Sequence, residues 1–198
     1  MYRLWGNSHL ENTNKEVLAE AVKRIGLLLS DTISTKLNVM FTFKYFGKKL
    51  IPYEAIQKLE KKYYTFSLIQ DNESPILNVL DTQIIYIFTN RILGGEGVVE
   101  PRAFKELFSF SEKYYGKYLI NWIIDVFQNM GMRVTLDKIA DSPKYYHIFL
   151  PDENVWQFAF EVFLGSKLVG MYFLCFDRNF LFRKEEIPME ISSEKKVS

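Results

Sequence analysis

The 198-residue sequence predicts one α/β (α+β) domain with internal two-fold pseudosymmetry, in which a single, mostly antiparallel sheet packs with long helices. Three observations carry that expectation. Apolar residues recur three or four apart over two long stretches, Val17 to Leu37 and Phe104 to Phe127, as on helices with one buried face. Between and after them lie short runs rich in Val, Ile, Phe, Tyr and Thr, bounded by Gly, Pro and Asn, which read as strands. Finally, Leu77-Asn78-Val79-Leu80-Asp81 is echoed 96 residues later (77 to 173) by Phe173-Leu174-Cys175-Phe176-Asp177. Each is an apolar strand that runs into an aspartate placed to cap a helix, as a duplicated unit around one sheet would give.

The elements follow in order. Asn12-Thr13-Asn14 offers helix caps, and Val17, Ala21, Ile25, Leu28, Leu29 and Ile33 form the stripe of the first helix. Val39 to Tyr45 is a strand that ends at Gly47. Pro52 starts a short helix through Glu60, since its missing N–H is not needed in a first turn. Tyr64–Gln70 and Ile76–Leu80 are strands separated by the turn residues 71–75. Asp81 caps a helix whose stripe is Ile84, Ile85, Ile87, Phe88 and Ile92, and Gly94 stops it. A long helix spans about Arg102 to Gln128, with Phe104, Leu107, Phe108, Tyr115, Tyr118, Leu119, Trp122 and Val126 spaced for burial. Met132–Ile139, Tyr145–Leu150, Trp156–Leu164 and Leu168–Phe176 are strands, with Gly165-Ser166-Lys167 as a hairpin turn. Residues 1–12 form an N-terminal segment, 13–183 the domain and 184–198 a polar, frayed tail.

Composition narrows the function. A chain this long buries roughly 70% of its unfolded surface, enough for an independent core. With 25 basic and 24 acidic residues the net charge is +1, so no global field draws nucleic acid or an acidic membrane. The N-terminus has no apolar signal core, and no apolar run approaches the ~20 residues that cross a bilayer. The expected location is cytoplasmic, with no membrane insertion. The single cysteine, Cys175, sits in an apolar run and reads as a small buried hydrophobe. The two histidines, His9 and His147, have no Ser, Asp or Cys arrangement beside them that would make a nucleophile–base pair. No HxxxH, HxH or clustered-Asp pattern suggests a metal, and no cofactor is expected.

The informative stretch is Asn90-Arg91-Ile92-Leu93-Gly94-Gly95-Glu96-Gly97. A phosphate loop needs Lys and Ser or Thr after its glycines, and here Val98-Val99-Glu100 follows. A dinucleotide loop opens a helix, whereas this one closes a helix and presents its negative end. Gly94 is therefore a helix stop, and Gly95-Glu96-Gly97 is a bare surface that another protein could approach closely.

Leu77 to Ile85 followed by Asn90 to Gly97 resembles the middle domain of the flagellar motor switch protein FliM family. The opening helix and strand, the long helix Phe104 to Phe127, the acidic loop Leu150-Pro151-Asp152-Glu153 and the strand Phe158 to Phe163 extend the resemblance over roughly Thr13 to Phe182. It implies a pseudo-two-fold fold related to CheC-type phosphatases. It also implies a non-enzymatic rotor protein at the flagellar basal body. Gly94, Gly95, Glu96 and Gly97, flanked by Arg91, would then dock FliG, and neighbouring copies would self-associate side by side in a ring. The N-terminal CheY-capturing segment and the C-terminal SpoA-type domain of FliM have no counterpart here, leaving open a fragment or a stand-alone relative. The alternative is a CheC-like phosphatase or regulator acting on phosphorylated CheY. Its implied signature is Asp or Ser, Glu four residues on, and Asn three further. The Glu–Asn spacing occurs only at Glu11–Asn14, preceded by Asn7, and Asn121 has Tyr118 in the glutamate position.

Overall fold

The computed structural model describes residues 6–59, 63–70, 74–97, 108–178 and 180. In chain order these form α1 (Gly6–Leu37), β1 (Phe41–Pro52), α2 (Tyr53–Gln57), β2 (Tyr63–Gln70), β3 (Ser74–Asp81), α3 (Thr82–Ile92), α4 (Phe110–Asn129), β4 (Val134–Ala140), a 3-10 turn (Pro143–Tyr145), β5 (Asn154–Leu164) and β6 (Lys167–Asp177). The strands make one six-stranded sheet in the order β1-β5-β6-β3-β2-β4, and every neighbouring pair is antiparallel.

That order reads the same backwards when β1, β2 and β3 are exchanged for β4, β5 and β6. The 96-residue echo has a geometric meaning here. Asn78 pairs across the strands with Leu174 (174 − 78 = 96), so the pseudo-two-fold axis passes through this pair at the sheet centre. The same offset relates Tyr64 on β2 to Phe160 on β5 (160 − 64 = 96). The halves also exchange their first strands, because β1 pairs with β5 and β4 with β2.

Strand alternation sends Ile76 and Leu80 to one face and Leu77 and Val79 to the other. The first face is covered by α1, α3 and α4, which enclose the larger core with Phe66, Leu68, Phe158, Phe160 and Phe176. The second is covered by α2 and the 3-10 turn over Tyr53, Ile56, Tyr146 and Phe149. Cys175 lies in this second core, fully buried as expected, and burial pushes its thiol up. Two long helices lie tight on the sheet through small residues. A Cβ at Gly26 of α1 would meet the Phe160 ring at 2.6 Å, and one at Gly116 of α4 would meet the Tyr64 hydroxyl at 2.9 Å. The equivalent aromatics of the two halves are thus each received by a helical glycine.

Several expectations are corrected. The first helix begins at Gly6, so Asn12-Thr13-Asn14 lies inside it rather than at its start. Its buried stripe is Leu18, Val22, Ile25, Leu29 and Ile33, while Val17 is 55% exposed and Ala21 half-buried. β1 does not end at Gly47; Phe46 bulges out between Tyr45 and Gly47, and pairing continues to Pro52. The short helix after Pro52 stops at Gln57, and Glu60 lies outside the described residues. The long second helix starts at Phe110. Ser109 and Glu112 form a reciprocal capping box that fixes this start. Phe104 and Leu107 are outside the described residues, as are turn residues 71–73, the tail after Phe180 and the helix expected after Asp177. Tyr115 is half-buried and Tyr118 is 43% exposed, rather than in the core. Tyr145–Leu150 is no strand. Pro143 and the Ser142 side chain turn the chain, and Tyr146 plugs the second core. Its hydroxyl accepts from the Ser67 N–H at 3.2 Å, and its carbonyl accepts from the Tyr53 hydroxyl at 3.0 Å and Gln57 Nε2 at 2.7 Å.

Candidate functional site

The glycine loop stands where the sequence places it, at the end of α3. Asp81 caps that helix by accepting from the Gln83 N–H at 3.0 Å, and Ile84, Ile85, Ile87 and Phe88 bury its inner face. At the other end the chain turns with Gly94 at φ +84°. Gly94 N–H donates to the Arg91 carbonyl at 3.1 Å and Gly95 N–H to the Asn90 carbonyl at 2.9 Å. These are the two bonds of a Schellman stop, which satisfies the last helical carbonyls.

The rest of the loop is shaped by two side chains from the last helical turn. Asn90 Oδ1 accepts from the Gly97 N–H at 2.8 Å, and Arg91 Nη1 donates to the Gly95 carbonyl at 3.1 Å. Both remaining glycines are needed to seat these struts. A Cβ at Gly95 would lie 2.7 Å from Asn90 Cγ, and one at Gly97 would lie 2.8 Å from Arg91 Cδ and 3.2 Å from Leu164 Cδ2. Glycine at 95 and 97 therefore has a reason inside the chain, whatever it permits outside. Arg91 is a strut as well as a charge: its Nε is buried and without a hydrogen-bond partner, and its stem lies under the loop.

What the loop presents outward is Leu93, which is 60% exposed, with exposed Gly94 and Glu96. Gly95 is half-buried and Gly97 buried. The sequence reading missed Asn90 as the organiser and Leu93 as the exposed apolar side chain. An asparagine followed five and seven residues later by glycines was the available signal.

The residues weighed for other chemistry do not assemble. His147 is exposed, and the His9 side chain is outside the described residues. Glu11 and Asn14 fall on α1, again with side chains outside the described residues, and Asn121 is exposed on α4 one turn from Tyr118. Among the described residues, no group of three or more His, Cys, Asp or Glu could hold a metal ion. No described helix is long and apolar enough to cross a membrane.

No protein-family model matches the chain. No curated protein matches it in sequence. Solved structures do match. A chain of the FliG–FliM complex from H. pylori superposes with a TM-score of 0.75 at 14% identity, covering 83% of this chain and 93% of that one. The FliM middle domain from Vibrio alginolyticus gives 0.67 at 12% identity, covering 81% and 92%. Thermotoga maritima FliY gives 0.66 at 14% identity, covering 83% and 90%. The chain has the FliM middle-domain fold over most of its length, as the resemblance implied.

Proposed function

We propose that this protein is a non-enzymatic binding component of the flagellar switch, located on the cytoplasmic side of the basal body, which docks a FliG-like partner. The observation that supports it is a FliM-type fold whose glycine loop presents exposed Leu93, Gly94 and Glu96 at the end of α3, in a likeness that extends to a chain of a FliG–FliM complex. Leu93 and Glu96 make the contact. Asn90, Arg91, Gly94, Gly95 and Gly97 hold the loop in the shape that presents them. Rigid presentation of one apolar and one charged side chain suits a small docking point, because little freedom is lost on binding.

The test is capture of the chain by the FliG of the same organism. Leu93→Glu and Glu96→Lys are expected to weaken binding by about tenfold or more (~1.4 kcal/mol) while leaving the thermal melt unchanged. Gly95→Trp is a poor probe of contact, since it displaces Asn90 and deforms the loop. A folded wild-type chain that shows no affinity for FliG ends this reading. The second element of the proposal is self-association, for which the exposed rings of α4 offer a surface.

A further inference from the structure

The outward line of α4 is divided in two. In its first half Phe110 is 85% exposed, Tyr114 49% and Tyr118 43%, at i, i+4 and i+8. Phe110 and Tyr114 stack at 6.4 Å and 15°, Tyr114 meets Tyr118 at 5.7 Å, and their hydroxyls lie 3.4 Å apart. Lys117 lies beside them, exposed. Isolated exposed rings are ordinary, but a contiguous ladder marks a contact surface. In the second half the same line continues with exposed Asn121, Asp125 and Gln128. There a groove of about 440 Å³ opens between α4 and the last turns of α1, lined by Asp31, Thr35, Lys36, Asp125, Gln128 and Asn129.

One helix therefore carries an aromatic, basic ridge at one end and an acidic, amide-lined groove at the other. We propose that α4 docks antiparallel on α4 of a second copy, each ridge entering the other copy's groove across a two-fold axis. Centring the pair on Asn121 sets Lys117 opposite Asp125 (117 and 125 are equidistant from 121) and Tyr114 opposite Gln128. Phe110 then falls opposite position 132, just past the end of α4. Tyrosine hydroxyls meet carboxylate and amide acceptors, opposite charges meet, and the antiparallel macrodipoles attract. The contact is isologous and closes after two copies. It rests on the self-association reading, as a pairwise contact rather than a side-by-side ring, while FliG docking uses the C-terminal end of a different helix, α3, and stands separately.

One helix pair is a small interface, below roughly 1,200 Å², so the dimer is reversible and concentration-dependent. Sedimentation of the full chain over a concentration series is expected to show a monomer–dimer equilibrium, with Tyr114→Glu raising the dissociation constant at least tenfold. Lys117→Asp and Asp125→Lys are each expected to weaken the homodimer. An equimolar mixture of the two variants is expected to regain it as a heterodimer, because both cross-pairs are then opposite in charge. Thermal melts verify that each variant is folded. A chain that stays monomeric throughout overturns the proposal. Assembly that ignores Tyr114→Glu and shows no rescue on mixing also overturns it, while leaving self-association through another surface intact. FliG capture is expected to be the same for these variants as for wild type, so its failure is scored against docking alone.

Discussion

Tyr64 and Gly116 show how closely single residues are set in this molecule. The Tyr64 ring is buried under α4, and a Cβ on Gly116 would lie 2.9 Å from its hydroxyl and 3.1 Å from Cζ. Gly116→Ala is expected to lose about 1–3 kcal/mol to overpacking. The same change in a Tyr64→Phe background is expected to be near neutral, since alanine is about 1 kcal/mol the better helix former. Chemical denaturation of the two single variants and the double variant reads the coupling. Burial, and after it the Asp141 charge, pushes the Tyr64 phenol up to about 12, and burial also raises Tyr53, Tyr146 and Tyr172. A raised phenol pKa favours the folded state fully below the ordinary value of 10.0, and that stability is lost as pH rises through about 12. Alkaline loss of circular dichroism is therefore expected in step with tyrosinate absorbance, with a midpoint shifted upward in Tyr64→Phe. Coincidence of neither signal with the other would remove the buried phenols as the cause.

At the scale of elements, α3 and α4 begin and end by the same rules. Ser109 Oγ accepts from the Glu112 N–H at 3.2 Å, and Glu112 Oε2 accepts back from the Ser109 N–H at 2.6 Å. Ser109→Ala is expected to cost about 0.5–2 kcal/mol in the thermal melt. α4 ends as α3 does, with Gly131 at φ +78° and Met132 N–H reaching the Phe127 carbonyl at 3.1 Å. A substitution Gly94→Ala or Gly131→Ala forces a left-handed conformation and is expected to cost about 1 kcal/mol. Only the Gly94 change is expected to alter FliG capture. α1 contributes differently. Ser30 and Ser34 stitch it to the open edge of β1, accepting from the Phe43 and Phe41 N–H groups at 2.8 and 2.9 Å, and Ser34 Oγ donates to the Phe41 carbonyl. Those edge groups are thereby closed to strand addition.

Across the whole molecule, the exchange of β1 and β4 makes each half incomplete without the other. The halves meet at β3 and β6, where the buried Tyr172 hydroxyl donates to Asn78 Oδ1 at 2.7 Å beside the pseudo-two-fold axis. Tyr172→Phe is expected to cost about 1–3 kcal/mol, because a buried acceptor loses its donor. A fragment of residues 1–97 is expected to be unfolded alone and to regain structure with residues 98–198, since its first strand pairs with β5 of the other half. Circular dichroism of the separate and mixed fragments measures this, and an independently folded fragment would refute the interlock.

The sequence alone determined what local physics controls. It determined the helix stop at Gly94, the cap at Asp81, five of the six strands closely, the buried character of Cys175 and the 96-residue echo. Each depends on neighbours within a few residues or on repeated local pattern. That Tyr118 faces outward and Leu18 inward follows from the assembled fold. On an aromatic-rich helix two stripes compete, and the sheet selects the one that includes Gly116. The fold also decided that Tyr146 is a plug rather than a strand residue, because its partners Tyr53, Gln57 and Ser67 lie some eighty or more residues away. For the glycine loop, sequence identified the stop and the exposed glutamate. The fold supplied the reason for Gly95 and Gly97, which is the space occupied by Asn90 and Arg91.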